Sequence, residues 1–136
     1  MAELQITDIG GDDLVVDKRS QEIVEDKPDA FMLCFAINSR ASFDSLKTWR
    51  SILNGISDTA PIILIATKCD LWKSGEAGSM DLVSAAEIEA KRSELQLQAL
   101  HFTSAKDSWL DGNVHMAFMK AAKVAYEVSA LENPPR

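Results

Sequence analysis

Two stretches of the chain are apolar at nearly every position, Ala30-Phe-Met-Leu-Cys-Phe-Ala-Ile37 and Ile62-Ile-Leu-Ile-Ala66. A short apolar run bounded by polar loops reads as a strand covered on both faces, the mark of a parallel sheet. Shorter candidates flank them. Leu4 to Ile9 carries apolar residues at Leu4 and Ile6 before Gly10-Gly11 breaks it, and Leu100-His-Phe-Thr103 is a strand late in the chain. Between these strands the apolar period lengthens. Phe43, Leu46, Trp49, Leu53 and Ile56 predict a helix after the turn at Asn38-Ser39. Ser84 and Glu87 have the capping-box spacing and open a helix to about Leu97. Val114, Ala117, Phe118, Ala121, Val124, Ala125 and Val128 form one stripe on a last helix. The charged stretch from Asp12 to Lys27 reads as a loop with one irregular helix, and Leu71 to Val83 as a second loop. Strand, loop, strand, helix, strand, helix, strand, helix is the order of an α/β fold with a mostly parallel sheet. Right-handed crossovers then place helices on both faces.

The 136 residues suffice for one domain with a core, and 46% apolar with 26% charged residues is ordinary for a globular chain. The formal net charge of −7 counts against nonspecific binding to nucleic acid or to anionic membrane surfaces, where Lys and Arg should cluster. Cys34 and Cys69, in or beside apolar strands, read as reduced structural thiols, hence a cytoplasmic setting. No apolar run approaches the roughly 20 residues of a membrane span. No signal peptide opens the chain, and its last residues, Glu132-Asn-Pro-Pro-Arg136, hold no prenylation cysteine. His101 and His115 lack companions at metal-ligand spacing. Trp49, Trp72 and Trp109 read as packing or rim residues rather than a ligand cage.

Chemistry concentrates where the apolar strands end, since ligands of open parallel sheets bind beyond the carboxyl ends of the strands. Thr67-Lys68-Cys69-Asp70 follows one strand and Ser104-Ala105-Lys106 the next. Neighbouring parallel strands would set these turns side by side. Together they offer a carboxylate, two lysine stems and a backbone N–H. Asp70 suits a paired N–H edge, the lysine stems suit the faces of a planar ring, and the Ala105 N–H suits a ring carbonyl. Guanine has this pattern.

Here the chain resembles the Ras superfamily of small GTPases. Asp8-Ile-Gly-Gly11 matches the DxxG motif, Thr67-Lys-Cys-Asp70 the [NT]KxD motif and Thr103-Ser-Ala-Lys106 the TSAK motif. Phe35-Ala-Ile-Asn38 with Ser42-Phe43, and Asn113-Val114 with Ala117-Phe118, look like a strand and two helices of that family. Threonine at position 67 is similar to the Rho branch. The resemblance implies the P-loop NTPase fold of small GTPases, GTP/GDP and Mg2+ as cofactors, and GTP hydrolysis used as a switch in signal transduction. It implies a base site at Thr67, Lys68, Asp70, Ser104, Ala105 and Lys106. Asp8 would lie near the magnesium through water, and Gly11 would give its N–H to the γ-phosphate. Protein effectors or regulators would bind through residues 10–27.

The sequence also departs from the pattern. It has no G-x-x-x-x-G-K-[ST], and position 12 is Asp where the family often has glutamine. The chain begins where the third strand of a small GTPase would begin, so the first strands, the first helix and switch I are expected to be missing. Residues 1–130 then form a truncated domain and 131–136 a tail. Without phosphate contacts, two charge-assisted hydrogen bonds and ring packing give about −4 kcal/mol net, near millimolar affinity. A GDP dissociation constant no tighter than about 0.1 mM is the expectation. Three readings stay open: a small GTPase-like nucleotide binder, a non-catalytic interaction module, and a piece of a complete GTPase. The missing strand leaves a gap one strand wide, about 4.8 Å per spacing. One expectation is that Leu4–Ile9 moves over and pairs with Ala30–Ile37; the alternatives are fraying or pairing with a partner chain.

Overall fold

The computed structural model describes residues 4–8, 27–73, 81–106 and 113–132. β1 (Phe31–Ala36), β2 (Ile62–Thr67) and β3 (Ala99–Phe102) form a parallel sheet in the order β1-β2-β3. Phe31 stands opposite Ile62 and Ile63 opposite Ala99. Among the described residues four helices connect and cover the strands: α1 (Arg40–Asp44), α2 (Leu46–Ile56), α3 (Ala85–Glu94) and α4 (Asn113–Glu132). Every residue of β2 from Ile62 to Ala66 is buried, as its unbroken apolar run requires of a central strand.

The core has two halves, one on each face of the sheet. Phe31, Leu33, Phe35, Ile62, Leu64 and Ala66 pack with Phe43, Leu46, Leu53 and Ile88. Ile63 and Ile65 face the other way and pack with Ala117 and Ala121 of α4. The alternation follows from the two-residue period of a strand. The small alanines of α4 let that helix lie close on the sheet.

Three expectations change. Leu4–Asp8 forms no strand and has no ladder with β1; Ile9 lies outside the described residues. Leu4 and Ile6 are 48% and 67% exposed, so the segment gains no burial to offset ordering it against the sheet. The single helix expected to end at Ile56 is two, α1 and α2, meeting at Ser45. The Ser45 hydroxyl donates to the Ser42 carbonyl at 2.8 Å, a local bond that competes with the helical ladder. Finally, β1 is covered unequally: its second face meets the α4 side of the core through Met32 but is only partly buried. Phe31, Leu33 and Phe35 are buried, whereas Met32 and Ala36 are half-buried and Cys34 is exposed.

Candidate functional site

The site is built where β2 and β3 end side by side. The Thr103 amide donates to the Ala66 carbonyl at 2.8 Å, and the Thr103 hydroxyl donates to the same oxygen at 3.1 Å. The Cys69 amide returns a bond to the Thr103 carbonyl at 3.0 Å. These bonds lock the two turns in register. Thr67 looks the other way, its hydroxyl donating to the Phe35 carbonyl at 3.0 Å. The chain then reverses through Lys68, whose backbone is left-handed with φ 63° and ψ 31°. A non-glycine residue there costs about 1–3 kcal/mol and is held only by its surroundings. A 3-10 turn, Cys69–Trp72, carries Asp70.

Asp70 is half-buried, and the Ser104 hydroxyl donates to its Oδ1 at 2.8 Å. No described residue donates to its Oδ2. The carboxylate is therefore fixed by one oxygen and able to accept through the other. Lys68, Ala105 and Lys106, on the same two turns, are exposed, and the Ala105 amide has no acceptor among the described residues. Burial raises the Cys69 thiol pKa and the Asp70 carboxylate adds to it, against the Thr103 backbone hydrogen bond, so the thiol stays protonated at neutral pH. Such a cluster can hold a flat polar ring by its edge, with cationic stems beside it.

Six of the residues singled out from the sequence thus come together: Thr67, Lys68, Asp70, Ser104, Ala105 and Lys106. Of these, Thr67 serves the sheet rather than the opening. Asp8 does not join them in the same way. It lines a groove beside β1 with Cys34 and Met32; protein atoms around the groove partly desolvate the Cys34 thiol, though the side chain stays open to solvent, and this first and the Asp8 charge second raise its pKa. Gly11 and residues 10–26 lie outside the described residues, as does Trp109. Among the described residues, no group of three or more His, Cys, Asp or Glu side chains is placed to hold a metal ion.

Sequence reasoning missed the supports. The Asn113 Oδ1 accepts from the Ser104 amide at 3.0 Å, and its carbonyl lies 3.0 Å from His101 Nε2, tying the start of α4 to the site. An asparagine just ahead of an apolar stripe is a cap signal that points to such a role. Trp72 meets Phe102 edge-on, with ring centroids 5.5 Å apart, and donates from Nε1 to the Val83 carbonyl at 3.1 Å. That partnership across 30 positions has no local sequence signal.

The profile of the Ras family matches residues 1–127. The chain belongs to the Ras family. It is similar to the Ras-like GTP-binding protein RHO1 of Entamoeba histolytica, with 44% identity over 48 residues, 35% of this chain and 22% of that protein. It is 36% identical over 101 residues to the circularly permutated Ras protein 2 of Dictyostelium discoideum, covering 71% of this chain and 2% of that protein. The Ras-related protein RabK2 of the same organism is 28% identical over 99 residues, 71% of this chain and 63% of the relative. The chain thus spans less than two thirds of the length of each of these relatives.

Proposed function

We propose that this chain recognises guanine nucleotides through the base and holds the phosphates weakly. The observation that carries this reading is the Asp70 carboxylate pinned by Ser104 at 2.8 Å where the turns bearing the exposed Lys68 and Lys106 are locked together. Asp70 accepts from the N1–H and N2–H of guanine. Lys68 and Lys106 flank the ring, and the Ala105 N–H donates to O6. The donor and acceptor set fits that base and rejects adenine, which offers no matching N–H pair. Bound Mg2+ supplies charge neutralisation to the phosphates in this family. Asp8 and Gly11 are the residues of this chain at the matching motif, and no step is assigned to them. Hydrolysis has little support from residue 12, since Asp12 stands where the family often has the glutamine that orients the attacking water. The setting is cytoplasmic, with effectors or regulators meeting residues 10–27.

Titration with GDP, guanosine and ADP, with and without Mg2+, tests the reading. GDP and guanosine should bind alike, with a dissociation constant of about 0.1–1 mM, and ADP should not bind. Sub-micromolar GDP binding would refute the weak-phosphate claim, and equal binding of ADP would refute the base claim. A second reading is favoured by Asp12, a carboxylate where the family often has glutamine: a scaffold that binds proteins without a nucleotide. A third is favoured by the partial span of the relatives: a piece of a longer GTPase. Finding no guanosine binding at all supports the former. Recovery of tight GDP binding by a chain extended at its start supports the latter.

A further inference from the structure

The 3-10 turn that carries Asp70 is tied to the end of β3 at both of its own ends. At its start the Cys69 amide donates to the Thr103 carbonyl at 3.0 Å. At its finish Trp72 meets Phe102 edge-on, with ring centroids 5.5 Å apart and planes at 68°. Between the two lies the bond from the Ser104 hydroxyl to Asp70 Oδ1, at 2.8 Å. The Trp72 indole is fixed from a second side, its Nε1 donating to the Val83 carbonyl at 3.1 Å. Val83 is a firm anchor. It is fully buried, and its own amide donates to the Ile37 carbonyl at 2.9 Å, just past the end of β1. Trp72 thus joins the Asp70 turn both to β3 and to the segment that leads into α3. Yet the two rings add little to the core. Trp72 is 37% exposed and Phe102 40%, and neither belongs to the apolar clusters on the two faces of the sheet. Rings kept half in water contribute modestly by burial. What they supply is direction, since an edge-on pair has a preferred distance and angle.

We propose that Trp72 and Phe102 are positioning residues of the base site: their contact sets the roll of the Cys69–Trp72 turn and so holds the Asp70 carboxylate within reach of Ser104. The turn is entered through Lys68, whose left-handed backbone, φ 63°, is held only by its surroundings. Cys69 and Leu71 pack against the core cluster and seat the turn on the protein. A turn seated from that side still rolls about its own axis, and rolling swings Asp70 away from Ser104. Trp72, on the exposed side, stops the roll. The bond at stake has little slack, because a hydrogen bond weakens steeply as it departs from linearity. A carboxylate held in place before the ligand arrives also loses less freedom on binding. The consequence for affinity rests on the guanine reading above; the clamp on Asp70 does not.

The test uses the full chain labelled with 13C and 15N, with GDP as the probe. It reads the side-chain carboxylate 13C resonance of Asp70 beside the GDP dissociation constant. Ser104→Ala first shows how that resonance moves when the hydrogen bond is lost. Phe102→Leu keeps an apolar side chain but removes the ring. It should move the Asp70 resonance in the same direction by a comparable amount, and weaken GDP binding about fivefold. Phe102→Tyr keeps the ring edge and should restore both readings. In the Ser104→Ala background, Phe102→Leu should weaken binding by no more than about twofold further, because the bond through which it acts is already gone. Should Phe102→Leu fail to fold, Trp72→Leu removes the same contact from the other side and decides the matter by the same readings. The proposal is overturned if the Asp70 resonance stays put in the folded variants, or if GDP is held as tightly without the ring. It is also overturned by an equal loss of affinity with and without Ser104, which is what a merely structural role gives. An unaltered chain that binds no GDP refutes the guanine reading, and the Asp70 resonance then decides the clamp by itself.

Discussion

At the scale of single residues, the site turns on one hydroxyl and one carboxylate. Ser104→Ala removes a hydrogen bond to a charged group, worth about 1.5–3 kcal/mol, so guanosine affinity should fall about tenfold or more in a calorimetric titration. The Thr103 bonds remain and should hold the strand end, leaving the circular dichroism spectrum unchanged. Lys68→Gly separates strain from chemistry. It relieves a left-handed backbone that costs about 1–3 kcal/mol, so the thermal midpoint should hold or rise while guanosine binding weakens. Cys69 reports the electrostatics. Its folded pKa lies above the unfolded value, so its contribution to stability is full below the unfolded thiol pKa and is lost as pH rises through the folded one. Alkylation by iodoacetamide should therefore accelerate only above the ordinary thiol range, about pH 8.5. A urea midpoint that falls less between neutral and alkaline pH in Cys69→Ala than in the unaltered chain would agree.

At the scale of elements, the caps and the surface bridges divide the work unequally. The Ser84 hydroxyl accepts from the Glu87 amide at 3.2 Å, as the capping-box spacing foretells. Glu87 does not return the bond; its carboxylate takes the Arg40 guanidinium at 2.7 Å. Ser84→Ala should cost about 1 kcal/mol, read as a lower denaturant midpoint. Arg40→Ala should cost less than that, because its exposed partners Asp81 and Glu87 are screened by water. Strands and helices were legible where burial decides the residue type, as in Ile62–Ala66 and the α4 stripe. The adjacency of the Asp70 and Ser104 turns was legible too, because neighbouring parallel strands end together. What escaped was set by geometry that no period records. Two apolar residues at Leu4 and Ile6 look like a strand, but a ladder needs a partner one strand-spacing away. The Ser45 break depends on a hydroxyl choosing a backbone oxygen, and the Asn113 support on a loop closing in space.

At the scale of the whole molecule, stability rests on the sheet, which has three strands among the described residues and lies between unequal layers. Leu64 is fully buried at its centre. Leu64→Ala should cost about 2–5 kcal/mol, a large share of the about 5–15 kcal/mol typical of a domain. Calorimetry should register it as a marked fall in both midpoint and unfolding enthalpy. The sheet order has a further consequence for how the molecule is made. β1 neighbours β2 and β2 neighbours β3, so spatial order repeats chain order. During synthesis each strand's partner is the next one out of the ribosome, separated by only seconds at about 5–20 residues per second. The nascent chain can grow its sheet by accretion at one edge, without reopening what has already formed.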